Sequence, residues 1–413
     1  MINQDLWPAT RDAALQRIEE FIPHAGGAYA KRRNFDFGQN EHLWVSRLSP
    51  WLRHRAVTEF EVIQATLERH SEKDAQKFIQ ETIWRTYWKG WLQHRPALWA
   101  HYLQSLERQR AALQTDTRKL AVYESAISAQ THIELFNSWT TELLETGYLH
   151  NHARMWYSSI WVFTLKLPWQ LGADFFIRHL LDGDPASNTL SWRWVAGLHT
   201  NGKAYLATAE NIRSFAPERA EACPRGLDTL AEEAQIPAPT SVWPVEAHSI
   251  DWSSAGLCAV DSGSADCGLL LHEDDCGHAF SELAEFVGPT AALAVQPCSD
   301  EPLTAKVASF RKGVLAESVE GRLGNDLAST LKSPREIVEW AESTNLRKIY
   351  TPFAPAGPVA VALDRLKSDL KRSDVALHRL VRPYDKAVWP HASKGFFKLN
   401  KQIPKILSVL AGA

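Results

Sequence analysis

The spacing of apolar positions divides the chain into two parts. Up to residue 213, apolar side chains recur every three or four positions, as in Phe60, Ile63 and Leu67, which is typical of amphipathic helices. From residue 266, short apolar runs alternate with helical stretches, the pattern of a small parallel sheet covered by helices. The pattern predicts a mainly α fold, in which an all-helical domain precedes a smaller α/β, Rossmann-like domain.

Local signals place several elements within these parts. Ser71 and Asp74 form a capping signal for a helix that we predict to continue through Gln93, and Ser333 to Glu336 is a second helix start. We expect a five-stranded parallel sheet in the second part. Strands are predicted at 269–272, 291–296, 348–351 and 376–381, and further helices at 58–70, 133–145, 153–166, 172–181, 303–318 and 358–371.

The length of the chain agrees with two domains. Its 413 residues exceed the roughly 250–300 at which a single core stops growing. We assign residues 1–213 to the helical domain and 266–413 to the α/β domain. Prolines interrupt the periodicity between them, so residues 214–265 are predicted to form a linker.

Charge limits the classes of partner. The net charge of −3 gives no general attraction to nucleic acid, so such a contact needs a local basic patch. Lys31, Arg32, Arg33, Arg53 and Arg55 are candidates for a phosphate track, although a solvated surface explains them nearly as well. No signal peptide or membrane-spanning stretch is evident, which predicts a cytoplasmic protein without membrane contact. The five cysteines match no zinc pattern, and we predict neither a metal site nor a protein partner.

One predicted helix face carries an unusual set of side chains. Glu81, Trp84, Arg85 and Trp88 follow the spacing i, i+3, i+4 and i+7, which brings an acid, a guanidinium and two indoles together. A buried Glu81–Arg85 ion pair with packed indoles would explain this spacing. The functional interpretation is one side of a pocket for a flat aromatic ligand.

Two further motifs could contribute to such a pocket. Ser46-Arg47-Leu48-Ser49-Pro50 is a helix start whose hydroxyl and N–H groups suit a diphosphate, although most such starts are only caps. Asp182-Gly183-Asp184 places two carboxylates in a turn, where a divalent cation or a plain turn is possible. Asn188, Trp192 and Trp194 follow within twelve residues of Asp182.

Taken in order, these motifs resemble the flavin domain of the DNA photolyase/cryptochrome family. The resemblance covers roughly residues 5–200 and includes a Thr146-Gly147-Tyr148 segment that leads to Asn151, Arg154 and Met155. It implies an FAD held in the helical domain. The implied cofactor contacts are Tyr29, Ser46, Arg47, Leu48 and Ser49 at the phosphates, Glu81, Arg85, Asn151 and Arg154 along the flavin and adenine, and Asp182, Asp184 and Asn188 at the isoalloxazine and sugar.

The resemblance also implies an activity, the repair of cyclobutane pyrimidine dimers in damaged DNA by electron transfer from reduced FAD. Asn188 would face the flavin N5, where repair enzymes have an amide and plant photoreceptors a carboxylate. Glu81 would assist the reaction, and Trp192 and Trp169 would relay electrons. The implied dimer contacts are Trp84, Asn151, Met155 and Trp194. The alternative is a cryptochrome-like blue-light photoreceptor without repair activity.

The chain departs from the family pattern in several places. Val45 stands where Thr is usual, and His152 replaces a usual Arg. The outer tryptophan of the relay has no counterpart, and Tyr123, Trp156 or Trp161 are possible substitutes. The largest departure is topological, because the family places its α/β antenna domain before the flavin domain. We therefore expect the α/β part to be an antenna-like domain in swapped order, with room for a second chromophore of unknown identity.

Overall fold

The computed structural model describes residues 6–39, 41–200, 203–236, 246–250, 252, 260, 264–295, 301–323 and 331–411. The first half is helical, and the prediction of a mainly α fold with a smaller α/β part is confirmed. Its helices are α1 (Arg11–Phe21), α2 (Gly27–Arg32), α3 (Ser49–His54), α4 (Glu59–Arg69), α5 (Glu72–Gln93), α6 (Ala97–Thr115), α7 (Thr117–Ile127), α8 (Glu134–Thr146), α9 (Asn151–Ser159), α10 (Trp169–His179), α11 (Pro185–Val195), α12 (Ala209–Phe215) and α13 (Pro217–Ala222).

The longest helix, α5, begins and ends where the sequence predicts. The Ser71 hydroxyl accepts a hydrogen bond from the backbone N–H of Asp74 at 3.2 Å, and the helix ends at Gln93. This cap satisfies one of the free N–H groups of the first turn. The capping signal at Ser333 is confirmed as well. Its hydroxyl accepts from the backbone N–H of Glu336, and the Glu336 carboxylate accepts from the backbone N–H of Ser333, which forms a capping box.

The second half contains the predicted five-stranded parallel sheet, in the order β3-β2-β1-β4-β5. Its central strand β1 is buried along its whole length, as expected for a parallel strand covered on both faces. The strands are β1 (Cys267–His272), β2 (Thr290–Leu293), β3 (Leu331–Lys332), β4 (Lys348–Pro352) and β5 (Ala376–Leu380). The helices are α14 (Ala305–Leu323), α15 (Pro334–Ser343), α16 (Pro358–Arg372), α17 (Pro383–Val388), α18 (Phe396–Asn400) and α19 (Ile403–Ala411).

Buried ion pairs join the two halves. Arg53 on α3 donates to Asp274 at 2.6 Å, and Arg55 pairs with Asp385 at 2.7 Å. The side chains of Arg53 and Arg55 are only 1% and 2% exposed. The prediction that these two arginines line a phosphate track is therefore wrong, because their charge is used inside the protein against acids that follow β1 and β5.

The structure also contains elements that the sequence did not indicate. Helices α6, α7 and α12 were not predicted, and α13 lies in a segment predicted to be irregular. Pro217 is tolerated there because it occupies the first turn, where its missing N–H would have no partner. The proposed domain boundaries remain predictions. No helix in the described ranges is long and apolar enough to cross a bilayer.

Candidate functional site

The predicted face of α5 turns its four side chains toward different partners. All four are partly buried, but Glu81 does not pair with Arg85 as the alternative interpretation required. Its carboxylate lies 3.5 Å from Nε of Arg33, which follows α2. Burial raises the pKa of Glu81, and the nearby Arg33 only partly opposes this. Glu81 therefore holds a proton more readily than an ordinary glutamate.

Arg85 points instead toward the turn between α10 and α11. Its guanidinium nitrogens lie 3.9 Å from a carboxylate oxygen of Asp182 and 3.9 Å from one of Asp184. Gly183 separates the two acids, and a Cβ there would lie 3.0 Å from the backbone oxygen of Ile177. Only glycine therefore fits between these two carboxylates without a shift of the backbone.

Asp182 is held by a bidentate ion pair with Arg154. Arg154 on α9 donates from Nη1 to Oδ1 and from Nη2 to Oδ2, each at 3.0 Å. Burial raises the pKa of Asp182, but Arg154 and Arg85 outweigh it, so that the pKa lies below its ordinary value. The Ser49 hydroxyl also bonds to this carboxylate, which brings the predicted Ser46–Pro50 motif to the same place.

Asp184 combines a structural role with a charged contact. Its side chain caps α11 by accepting from the backbone N–H of Ser187 at 2.8 Å. Lys89, one turn after Arg85 on α5, lies 3.7 Å away and is 1% exposed. Burial raises the pKa of Asp184, but Lys89, Arg53 and Arg85 outweigh it and lower the pKa to about 2. The sequence analysis missed Lys89, although it continues the i+4 row from Glu81 through Arg85.

The pKa of Asp184 predicts a measurable pH dependence. The unfolded carboxyl titrates near 3.8 and the folded one near 2, so its stabilising effect is complete above about pH 4 and is lost as the pH falls toward 2. Between pH 5 and pH 3 this amounts to about 1 kcal/mol. We expect the difference in unfolding free energy between wild type and Asp184→Asn, measured in urea, to narrow by this amount over that range. An unchanged difference would contradict the assignment.

Several buried cationic atoms of α5 and of the Ser46–Pro50 motif lack a hydrogen-bond partner among the described residues. They are Nε of Arg47, Nη1 of Arg85 and Nζ of Lys89. Arg85, Lys89 and Arg154 give three positive charges around the two carboxylates of Asp182 and Asp184. Unpaired buried donors are costly unless a ligand satisfies them. The arrangement therefore fits an anionic group such as the diphosphate of a dinucleotide.

The other predicted cofactor residues are distributed around this cluster. Tyr29 is 7% exposed and packs edge-on against Phe78, so it belongs to the apolar core, as does Leu48. The Ser46 hydroxyl accepts from the backbone N–H of Leu48 at 3.4 Å. Asn151 is exposed in the first turn of α9, one turn before Arg154. The structure thus groups Ser49, Arg85, Arg154, Asp182 and Asp184 most closely.

Asn188 and Trp192 lie on the inner side of α11. The Asn188 amide donates to the backbone oxygen of Ala173 at 2.8 Å, which fixes the orientation of the side chain. Trp192 is 2% exposed and meets Trp161 edge-on at 6.1 Å. A Cβ at position 172 would lie 2.3 Å from the Trp192 ring, so only a glycine there leaves room for the indole.

The proposed relay residues belong to two aromatic series. Trp192 leads through Trp161 to Tyr123, whose ring lies 5.9 Å from that of Trp161. Trp169 instead stacks on Tyr102 at 5.6 Å. Both series are part of one buried core, and the role of each residue in electron transfer stays a prediction.

The two tryptophans among the proposed dimer contacts each stack on another aromatic ring. The Trp84 ring is stacked on Phe396 of α18 at 3.7 Å, and Trp194 is stacked on Tyr205 at 5.6 Å. The hydroxyl of Tyr205 lies 3.3 Å from His152, the residue that replaces a usual Arg. Burial lowers the pKa of His152, so the imidazole ring favours the neutral form. In that form it can share a hydrogen bond with the Tyr205 hydroxyl. Met155 is partly buried on α9.

Two further features bear on ligands. No group of three or more His, Cys, Asp or Glu side chains within the described ranges could hold a metal ion. Where the two halves meet, Arg53, Tyr102 and Arg311 border a cavity of about 30 Å³, room for about one water molecule. A second chromophore stays a prediction.

Part of this chain is similar to known proteins. Residues 78–222 match the family model described as the FAD binding domain of DNA photolyase. The deoxyribodipyrimidine photo-lyase of Streptomyces griseus is 31% identical over 190 residues, which cover 43% of this chain and 40% of that protein. The corresponding enzyme of Synechococcus sp. is 30% identical over 234 residues, 52% of this chain and 47% of that protein. The chain thus spans less than half the length of these relatives.

A search of solved structures gives a bacterial class III photolyase from Agrobacterium tumefaciens, with a TM-score of 0.42 and 22% identity over 50% of this chain and 42% of that one. Within the helical half, residues 78–222 are similar to the FAD binding domain of DNA photolyase, and the resemblance seen in the sequence is confirmed. The matched region begins inside α5 and includes Glu81, Arg154, Asp182 and Trp194.

Proposed function

We propose that this protein binds FAD between α5 and the turn that carries Asp182 and Asp184, and that it repairs cyclobutane pyrimidine dimers in DNA under light. The observation that carries the proposal is that buried donors on Arg85 and Lys89 lack a hydrogen-bond partner among the residues that the structure describes, within the region that matches the FAD binding domain. An anionic dinucleotide would satisfy these donors and balance their charge.

Each side of the site has a distinct task in this proposal. Arg47, Arg85 and Lys89 attract the phosphates, while Arg154 holds Asp182 in one orientation for the polar edge of the ligand. The fixed amide of Asn188 presents an uncharged side chain to the flavin ring. When bound and reduced, FAD supplies the electron that opens the dimer on illumination, and the protein supplies position and charge.

The dimer would lie between the two indoles. Photolyases belong to the enzymes that extrude their target from the duplex, which costs a few kcal/mol and least for an already weakened pair. Stacking contributes roughly 1–3 kcal/mol per base, so Trp84 and Trp194 offset much of that cost. Asn151 and Met155 complete the proposed contacts. The raised pKa of Glu81 lets it donate a hydrogen bond to a dimer carbonyl, a contact that strengthens as charge develops there.

We expect Trp194→Ala to weaken binding of an oligonucleotide that carries one thymine dimer by roughly ten- to a hundredfold, because one stacking surface is lost. Affinity for undamaged DNA should change little. The matched control is Trp340→Ala, which removes a partly buried indole of α15 in the other half. Equal loss in both variants, or none in Trp194→Ala, would contradict the assignment of Trp194.

One observation favours the second candidate, a blue-light photoreceptor without repair. Phe396 covers one face of Trp84 at 3.7 Å, which narrows the space for a stacked base. The two functions separate in one assay: the reduced protein is illuminated with an oligonucleotide that carries a single dimer, and restored thymines are counted. Restoration above a flavin-only control supports repair. No restoration, with the bound flavin fully reduced, supports the photoreceptor.

A further inference from the structure

The end of the chain has a charge that differs from the rest. From Lys386 to the last residue, 28 positions contain five lysines and no acidic residue. The remaining 385 residues contain 40 basic and 48 acidic side chains, a net charge of −8. A locally basic segment on an otherwise acidic protein is the charge distribution expected of a surface that binds a polyanion.

The structure turns these lysines outward. Phe396, Leu399, Ile403 and Ile406 of α18 and α19 are buried in a cluster with residues of α5. This anchoring leaves the lysines at 386, 394, 398, 401 and 405 exposed. The apolar face of the segment is therefore used for packing, and its basic face is free to meet solvent or a partner.

An exposed aromatic residue accompanies the lysines. Phe397 lies next to Lys398 and is 81% exposed, whereas the neighbouring Phe396 is 5% exposed. The Phe397 ring meets that of Phe396 edge-on at 6.5 Å, and the rest of the ring is left to solvent. Aromatic side chains among basic residues are typical of surfaces that bind unpaired bases, because the ring stacks on a base while the cations contact the phosphates.

This basic segment borders the proposed dimer site. Phe396 stacks on Trp84 at 3.7 Å, so the segment lies directly beside the face of α5 that carries Glu81 and Trp84. Lys77, one turn before Glu81 on α5, is exposed as well. A DNA strand that reaches Trp84 would therefore pass over Lys398 of α18 and the neighbouring Lys394 and Lys401.

We propose that Lys394, Lys398 and Lys401 bind the phosphates of a DNA strand beside the α5 face, and that Phe397 stacks on an unpaired base of that strand. This inference rests on the proposed function for the identity of the polyanion. An anionic membrane is disfavoured because an interfacial helix presents its apolar face to the lipid, whereas Ile403, Ile406 and the partly buried Leu407 and Leu410 pack on the protein core.

The test compares two triple variants in the dark. Lys394→Ala/Lys398→Ala/Lys401→Ala removes the proposed contacts, and Arg365→Ala/Lys367→Ala/Lys371→Ala removes equal charge from the exposed face of α16. The probe is an undamaged labelled duplex with one unpaired thymine, titrated at several salt concentrations. The slope of log affinity against log salt should fall by about two to three in the first variant, since each duplex phosphate contact contributes about 0.9.

Phe397→Ala provides a second measurement on the same surface. Its affinity for the duplex with an unpaired thymine should fall roughly ten- to a hundredfold, with little change for the fully paired duplex. Equal salt slopes in wild type and both triple variants would overturn the proposal. So would lost binding to phosphatidylserine vesicles with unchanged DNA affinity, which would assign the segment to a membrane.

The failure of this inference is distinguishable from the failure of the proposed function. The dark titration uses undamaged DNA and does not depend on the flavin, whereas repair is counted as restored thymines under light. A reduced salt slope in the lysine variant supports the inference whether or not thymines are restored. Restored thymines together with an unchanged slope would keep the repair function and reject the basic segment as its DNA contact.

Discussion

Replacement of both Asp182 and Arg154 by alanine is expected to yield a folded protein that purifies without FAD. The pair forms two charge-assisted hydrogen bonds at 3.0 Å, and Arg85 approaches the same carboxylate at 3.9 Å. Removal of both partners leaves no uncompensated charge between them, so the fold should survive. The two substitutions also remove the contacts that Asp182 and Arg154 would make to FAD. At roughly 1.5–3 kcal/mol each, the loss of these contacts should weaken the affinity for FAD by more than about a hundredfold.

The measurement is the amount of FAD released on denaturation, with far-ultraviolet circular dichroism as the check on folding. The matched control is Arg225→Ala/Glu134→Ala, which removes an ion pair whose arginine is 82% exposed and leaves the site intact. The control should retain its flavin. A double variant at Asp182 and Arg154 that carries as much FAD as wild type would show that the cofactor is held elsewhere.

Asp184→Asn is expected to cause the largest loss of stability, about 2–3 kcal/mol in the free energy of unfolding near neutral pH, because the pKa of Asp184 falls from 3.8 to about 2 on folding. Asparagine can still cap α11. The loss of stability therefore measures the removal of the negative charge alone. Without the carboxylate, the ammonium of Lys89 is buried at 1% exposure without its partner at 3.7 Å. Because burial already lowers the pKa of Lys89, the loss should shrink at high pH, where the amine becomes neutral.

Urea unfolding of the purified variant measures this loss. Asp374→Asn is the matched control, since Asp374 pairs with Arg347 at 2.9 Å but is 91% exposed. Exposed pairs contribute about 1 kcal/mol or less. If the two variants lose the same stability, the charges around Asp184 are screened by solvent and the buried cluster does not exist in the form described.

The sequence allowed prediction of features that depend on local spacing. The limits of α5, the capping box at Ser333 and the parallel sheet all follow from caps and periodicity within short segments. The strand β3 was not located, because its two residues are too short for a periodic signal. The residues of the flavin motif were found by resemblance, since no single motif among them is specific.

The contacts between distant segments could not be predicted from the sequence. Nothing local indicates that Arg33 pairs with Glu81 in place of Arg85, or that Phe396 stacks on Trp84 from more than 300 positions away. Arg53 resembles a surface residue in the sequence, yet Asp274 neutralises it in the interior. Such partners are set by how the two halves pack, and periodicity carries no information about that packing.

The central claim is that the helical half holds FAD at the cluster around Asp182 and Asp184. The most direct test is the visible absorption spectrum of the purified wild-type protein, followed by quantification of the flavin released on denaturation. The account predicts a flavin spectrum and close to one FAD per chain. A colourless protein that releases no flavin, and that binds none when FAD is added, would contradict it.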